Sequence, residues 1–434
     1  MRVRLSSALL LVLSAVSVSA QSGSAPTRVR WEKLVYEDAK TVIRETTEVL
    51  EKNPGNALAM RMRSSAYYRN FEPEKGKADA IAALAMLKTA TTAEEFEAKC
   101  YSERRIEKYD EAIASCTSAI GLDPKYSWAY YNRASANESK KQYAAAIADY
   151  TKAIEFNPGH LDAYSRRGYL YGSINNDFDK AIADSTKAIA LEPMRANEYH
   201  TRGYWRNQKE EFDLAIADFS KAIELDPKLA GPYFQRGLAY YGKDQYDKAI
   251  SDFTRTLELD PKTAAAYIRR GNSYSSKSEE GPAVADYTKA IELDPADPWA
   301  YYGRGSSFSR QKAYDRAITD LTKAIELAPK FSWAYNNRGI AYKAIGQIDL
   351  SIADYTKAIE LEPTYAPVYS NRSDGYFRKN QLDLAMADIT KALTLDPKLG
   401  VAYRNRAQIY EAKGEKALAE KDRLKAKELE AKGP

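Results

Sequence analysis

Few residues in this 434-residue chain are placed to make or break bonds. His160 and His200 are its only two histidines, and neither has a second metal ligand patterned beside it, as a zinc or iron site requires. No glycine-rich phosphate loop and no nucleophile elbow occurs. The 60 acidic residues are plentiful but recur at a fixed interval, which suits solvated faces and ion-pair partners better than a general acid and base. Arginine follows the same interval, at Arg133, Arg167, Arg202, Arg236, Arg270, Arg304, Arg338, Arg372 and Arg406. Aspartate follows it too, at Asp149, Asp184, Asp218, Asp252, Asp286, Asp320, Asp354, Asp388 and Asp422. A partly buried guanidinium needs a carboxylate, and its planar fork suits one, so this chemistry is read as architectural pairing. No catalytic residue, cofactor or metal is expected.

The interval itself is marked by proline. Pro124, Pro158, Pro193, Pro227, Pro261, Pro295, Pro329, Pro363 and Pro397 are spaced by 34 residues, except for 35 between Pro158 and Pro193. A constant period of this length means one supersecondary unit stacked on copies of itself. In the unit 298–331, Tyr301, Arg304, Gly305 and Phe308 recur at helical spacing, and Ala317, Leu321 and Ala324 do so in its second half. Two helices per unit follow. Asp315 is expected to cap the second, and Pro329 falls where a helix has stopped. Small residues at Gly305, Ala317 and Ala324 let the axes approach while Tyr301 and Phe308 fill the space beside them.

Residues 1–20 differ in kind. Arg2 and Arg4 precede the apolar run Leu9–Val18, and Val18-Ser19-Ala20 offers a small-residue cleavage site, so 1–20 reads as a signal peptide and the mature chain begins near Gln21. The expected location is exported, periplasmic or secreted, with no membrane insertion after cleavage. The net charge of +5 falls to +3 without Arg2 and Arg4, too little for nucleic acid or an anionic membrane.

Residues 21–56 read as a flexible lead followed by a degenerate half-repeat, with Val42, Thr46 and Val49 inward. Residues 57–126 hold two irregular units, the first with a turn lengthened by Glu72–Lys77. Residues 127–399 hold eight regular units, with the extra residue of 161–195 at Asn175-Asn176. Residues 400–434 form a last unit, in which Arg423 and Lys427 replace apolar residues, as a polar capping helix requires.

The unit resembles the tetratricopeptide repeat. That pattern has an aromatic fourth residue, a small eighth, an aromatic eleventh, alanines at 20 and 27 and proline at 32, here Tyr301, Gly305, Phe308, Ala317, Ala324 and Pro329. The resemblance spans about 57–434 and implies an all-α, right-handed α-solenoid of antiparallel helix pairs. It also implies a concave groove lined by the first helices. Carried onto this chain, the groove residues are Trp128, Tyr131, Asn132, Tyr169, Tyr204, Phe234, Tyr241, Arg269, Trp299, Tyr302, Trp333, Asn336, Asn337, Asn371, Phe377 and Asn405, with His200 on the same face. Asn337, Asn371 and Asn405, at position 6 of successive units, are expected to grip an extended peptide backbone. No unit has both lysine at position 5 and asparagine at position 9, which argues against the family's carboxylate clamp. Cys100 and Cys116 take positions 8 and 24 of one unit. Export permits a disulfide, but position 8 is closest to position 20 in the family, so two buried free thiols are expected.

The function expected is a non-enzymatic scaffold that binds a protein or peptide partner in the groove, within envelope assembly. Glycan binding by Trp299 and Trp333, which share a position in adjacent units, is the second reading, and an enzyme the third. Whether the chain self-associates is not decided by its sequence.

Overall fold

Helices of 13 and 14 residues alternate through a computed structural model that describes residues 30–32, 34, 35 and 38–431. The signal peptide expected at 1–20 lies outside them, as does the lead expected at 21–30 except for Arg30, which is helical. The described residues are all helical or connecting, and adjacent helices pair, so the fold is an all-α solenoid of stacked helical hairpins. The described residues form two compact units, one up to Trp205 and one from Arg206. Typical first helices are Ser127–Ser139 in the first unit and Pro298–Arg310 in the second. Their partners are Tyr143–Phe156 and Tyr314–Leu327.

Local chemistry sets the helix ends. Second helices stop one residue before proline, and Asp226, Asp260 and Asp396 are extended there, as a residue preceding proline prefers. The carboxylates of these aspartates accept the backbone N–H two residues on, at 2.9–3.2 Å, which closes the turn to the next hairpin. The tight turn inside each hairpin needs one residue in the left-handed region. Gly346 and Gly414 supply it without strain, but Lys141, Asp244, Lys312 and Asn380 adopt it with side chains. Asn176 does so at the insertion (φ 52°). Asp315 lies inside the helix Tyr314–Leu327, not at its cap, which is Ala313. Its place in the first turn suits the helix dipole instead.

Between the paired helices sits a seam of small residues. Ala300, Ala317, Ala324 and Ala334 are fully buried, as are their counterparts in the other hairpins. Position 8 faces position 24. A Cβ on Gly237, Gly271 or Gly339 would come within 3.0 Å of the ring of Phe253, Tyr287 or Tyr355, so a larger residue there would force those rings to shift.

The arginine fork holds each hairpin and ties it to the one before. Arg304 donates from Nε and Nη2 to Asp320 at 2.7 and 2.9 Å, and from Nη1 to the Thr288 hydroxyl of the preceding repeat at 3.2 Å. The same three-pronged contact recurs at Arg133, Arg167, Arg236, Arg270, Arg338 and Arg372. Tyrosines cover the guanidinium: the Arg338 carbon lies 5.7 Å from the ring centres of both Tyr335 and Tyr342. A further copy, unforeseen from sequence, joins Arg63 to Asp79 and Thr47. The hairpin at 57–86 therefore follows the common plan. Glu72–Lys77 is not a lengthened turn, since Pro73 opens the helix Pro73–Met86 at its first position and Gly76 packs under Tyr68.

The hairpin between, Ala93–Arg105 with Tyr109–Leu122, has Lys99 and Ser115 in place of the fork. There Cys100 and Cys116 form a disulfide, with Cα atoms 5.3 Å apart, which corrects the expectation of free thiols. The physical reason is the facing of positions 8 and 24: sixteen residues apart, they meet across the hairpin just as the fork's partners do. Before the first complete hairpin, Ala39–Lys52 buries Val42, Thr46 and Leu50, with Val49 only partly covered. The last helix, Lys416–Ala431, turns Ala419, Asp422 and Ala426 inward and leaves Leu418 and Leu424 exposed.

Asp286→Ala would leave the Arg270 guanidinium beside Tyr267 with only the Thr254 hydroxyl as partner. It is expected to destabilise the second unit by about 2 kcal/mol in denaturant unfolding. The double change Arg270→Leu, Asp286→Leu should cost less than the single one.

Candidate functional site

Position within the first helix decides what each candidate residue meets. In the second unit, Trp299 and Trp333 occupy position 2 of adjacent repeats and are 49% and 43% exposed. Their rings meet edge to face at 5.9 Å. Phe331, which sequence reasoning passed over, fills the angle at 4.5 Å from Trp299 and 4.9 Å from Tyr302. One indole face of the pair therefore remains open above a supported aromatic floor. The perpendicular planes do not form a flat platform.

Beside this cluster runs a chain of asparagines. Asn337 donates to the Ser306 hydroxyl at 2.9 Å and to Tyr302 at 3.3 Å. Asn336 donates to the Asn337 oxygen at 3.2 Å, and Asn371 to the Asn336 oxygen at 2.9 Å. Asn405 donates to Ser370, at its hydroxyl and its carbonyl. The position-6 amides, expected to grip a peptide backbone, also bond the preceding first helix. Each first helix packs beside its predecessor, and position 6 is close enough to bond across that gap. Asn336 is buried outright.

The remaining candidates of this unit are dispersed. Phe234 packs on Phe253 at 5.7 Å, and Tyr241 lies against Tyr246 and bonds Ser276. Arg269 is exposed, and Phe377 borders a shallow hollow with Asp374, Arg378 and Glu411.

In the first unit, Trp128, Tyr131 and Asn132 come together, but not as an open surface. His160 is sandwiched at 4.3 Å from Trp128 and 4.7 Å from Tyr131. Asn132 is buried and donates to Glu97 at 2.7 Å, completing the buried Arg61–Glu97 ion pair. Asn132, expected as a groove contact, braces this ion pair. Tyr169 is half exposed, and both it and Tyr204 border Trp205. Next to this knot opens a cavity of about 270 Å³ lined by Arg61, Tyr68, Tyr101, Arg104, Arg105 and Tyr131, among others. Most of these residues were missed because the groove positions were carried only onto the regular repeats. The same positions in 57–126 would have found Tyr68, Arg69, Arg104 and Arg105.

His160 carries a titration of its own. Neither ring nitrogen has a hydrogen-bond partner among the described residues. Burial lowers its pKa from 6.5 to about 4, although Asp162 acts to raise it and Arg69 and Arg61 to lower it. The unfolded chain therefore binds a proton that the folded one refuses between those values. The stability this group allows is full above about pH 6.5 and is lost as pH falls toward 4, by on the order of 3 kcal/mol. His160→Phe should keep the stacking and flatten that part of the stability–pH curve of the first unit, as read by thermal unfolding from pH 4 to 7.

Sequence comparison places this architecture. Profiles described as tetratricopeptide repeat match residues 127–160, 161–193, 231–263, 298–331, 332–365 and 366–399, and a TPR repeat profile matches 203–244 and 282–312, together more than half of the chain. Mouse serine/threonine-protein phosphatase 5 is 36% identical over 126 residues, 29% of this chain and 18% of that protein. The heat shock protein sti1 homolog of Schizosaccharomyces pombe is 40% identical over 76 residues, 18% of this chain and 13% of its own. Human mitochondrial import receptor subunit TOM70 is 35% identical over 74 residues, 17% and 12% respectively. The chain thus spans less than a fifth of these relatives. Among solved structures, the APC/C hetero-tetramer Cut9-Hcn1 aligns over 92% of both chains at 14% identity and TM-score 0.49. MamA aligns over 40% of this chain and 94% of its own at 28% identity and TM-score 0.36. Repeat period, hairpin geometry and profile matches agree: the chain belongs to the tetratricopeptide repeat family, whose architecture is a scaffold for protein interaction.

Proposed function

We propose that the chain is an exported, non-enzymatic scaffold that holds an extended peptide segment of a protein partner on the first-helix face of its second unit. The observation that carries this reading is the pair Trp299 and Trp333, two large exposed rings on adjacent repeats, braced from beneath by Tyr302 and Phe331. Exposed aromatic rings on a rigid floor lose little entropy on binding and supply most of an interface's energy. The asparagine chain beside them fixes the floor rather than the ligand. Its bonded amides hold adjacent first helices in place, so the two indoles are presented at a set separation.

Export is supported by the amino-terminal pattern and by the Cys100–Cys116 disulfide, a bond that persists mainly in oxidising compartments. Glycan stacking is less favoured, because the two indoles meet edge to face and share no plane. An envelope complex is the setting in which an exported scaffold of this kind would act.

The test uses mature protein recovered from its own cell. Its intact mass should correspond to a chain starting at Gln21 with the cysteines oxidised; retention of residues 1–20 would overturn export. Cross-linking should recover protein partners, and a peptide from the cross-linked segment should bind the purified chain. The double variant Trp299→Ala, Trp333→Ala should unfold as the parent does yet bind that peptide at least about 10-fold more weakly. Unchanged affinity would move the binding surface elsewhere, and retention on purified cell-wall polymer lost in the variant would favour the glycan reading.

A further inference from the structure

The cavity in the first unit has more positive charge than its carboxylates answer. Arg61 is bonded to Glu97, Arg69 to Asp162, and Arg166 meets Glu138 at 3.4 Å. Among the described residues, Arg104 and Arg105, consecutive at the end of Ala93–Arg105, have no carboxylate partner. Arg104 donates there to the Asn132 oxygen alone, at 3.3 Å, and Nε of each arginine is buried without a hydrogen bond. The half-buried guanidiniums of Arg63, Arg133, Arg167, Arg236, Arg270, Arg304, Arg338, Arg372 and Arg406 hold an aspartate, so this pair departs from the molecule's own rule.

The two cations are held together by aromatic rings. The Arg105 guanidinium lies 3.9 Å from the centre of the Tyr68 ring and 5.0 Å from that of Tyr101, and Arg104 lies 5.5 Å from Tyr101. Burial, and then repulsion from Arg105, lowers the Arg104 pKa. Burial would raise the Tyr101 phenol, but Arg105 and Arg61 outweigh it and lower it instead. The Tyr101 shift, and the part of the Arg104 shift due to Arg105, reflect positive charge concentrated in a walled space. Such a potential costs stability unless something negative enters. The volume of about 270 Å³ is far more than one ion fills and suits an oxyanion carried on a small body.

We propose that this cavity binds a compact dianionic oxyanion, a phosphate or phosphate monoester, gripped by Arg104 and Arg105 against the rings of Tyr68, Tyr101 and Tyr131. Two unanswered guanidiniums match a charge of about −2, and their donors suit the tetrahedral oxygens of phosphate. The aromatic wall favours a flat body attached to the anion over the free ion. This site is separate from the Trp299 and Trp333 surface and stands or falls without it.

The experiment is calorimetric titration of the mature chain at constant ionic strength with inorganic phosphate in one arm and phenyl phosphate in the other. At least one should bind with a dissociation constant below about 1 mM, phenyl phosphate more tightly if the rings take part. The variant Arg104→Gln, Arg105→Gln should lose that binding by at least about 10-fold while unfolding at the same or a higher temperature than the parent, since it removes an unrelieved repulsion. A second measurement needs no variant: phenylglyoxal should modify Arg104 and Arg105, read by peptide mass mapping, and phenyl phosphate should protect them but not the fork arginines. No binding in either arm, binding unchanged in the variant, or equal protection of all arginines would overturn the proposal.

Discussion

A guanidinium that bonds in three directions governs this structure. Within a hairpin, the aspartate accepts two parallel donors, which fixes the separation and rotation of the two helices together. The third donor reaches a threonine or serine of the hairpin before it. One side chain thus sets both the internal geometry of a repeat and its placement on a neighbour. Tyrosines above and below limit water's access to the fork, which strengthens its hydrogen bonds. The helices need few large apolar residues between them because the fork already dictates how close they come; alanine and glycine fill the seam.

The single hairpin with Lys99 and Ser115 at the fork positions shows what the constraint must accomplish. A covalent link, Cys100–Cys116, spans the same two helices one residue further along each. Both devices join residues sixteen apart in sequence, seventeen at Arg167–Asp184 where a residue is inserted, and both act at the level of the hairpin. The oxidised pair also removes the need for a small residue opposite a ring, the arrangement seen at Gly237 with Phe253. In this repeat the helices Ala93–Arg105 and Tyr109–Leu122 are tied by a bond that does not depend on charge, next to a cavity that concentrates charge.

With spacing fixed by the forks, variation is free to collect on the outward side of the first helices, and the two units use that freedom differently. The second unit exposes indoles beside a chain of amides that is satisfied internally. The first turns its aromatic residues inward around His160 and an arginine-lined cavity. The same positions of the repeat therefore serve as an open surface in one place and as a pocket wall in another. Trp128 and Trp299 show this directly: both are at position 2 with a ring, His160 or Phe331, against them, but Arg61 lies over the first at 5.4 Å and Trp333 meets the second.

The period, the two helices per unit and the pairing of arginine with aspartate were legible in the sequence because each rests on local spacing repeated many times. Even the recurrent Asp-Tyr-Thr stretch at Asp149, Asp286 and Asp354 names its own contacts: aspartate for the arginine of its hairpin, threonine for that of the next. That threonine contact, the disulfide and the fate of the asparagines were decided only in three dimensions. Each depends on which residue of a neighbouring helix stands opposite, and periodicity says which face a side chain shares but not how far across the gap it reaches. The cavity of Arg104 and Arg105 is the clearest case, since its walls come from residues 61 to 166 and no one repeat contains enough of them to announce it.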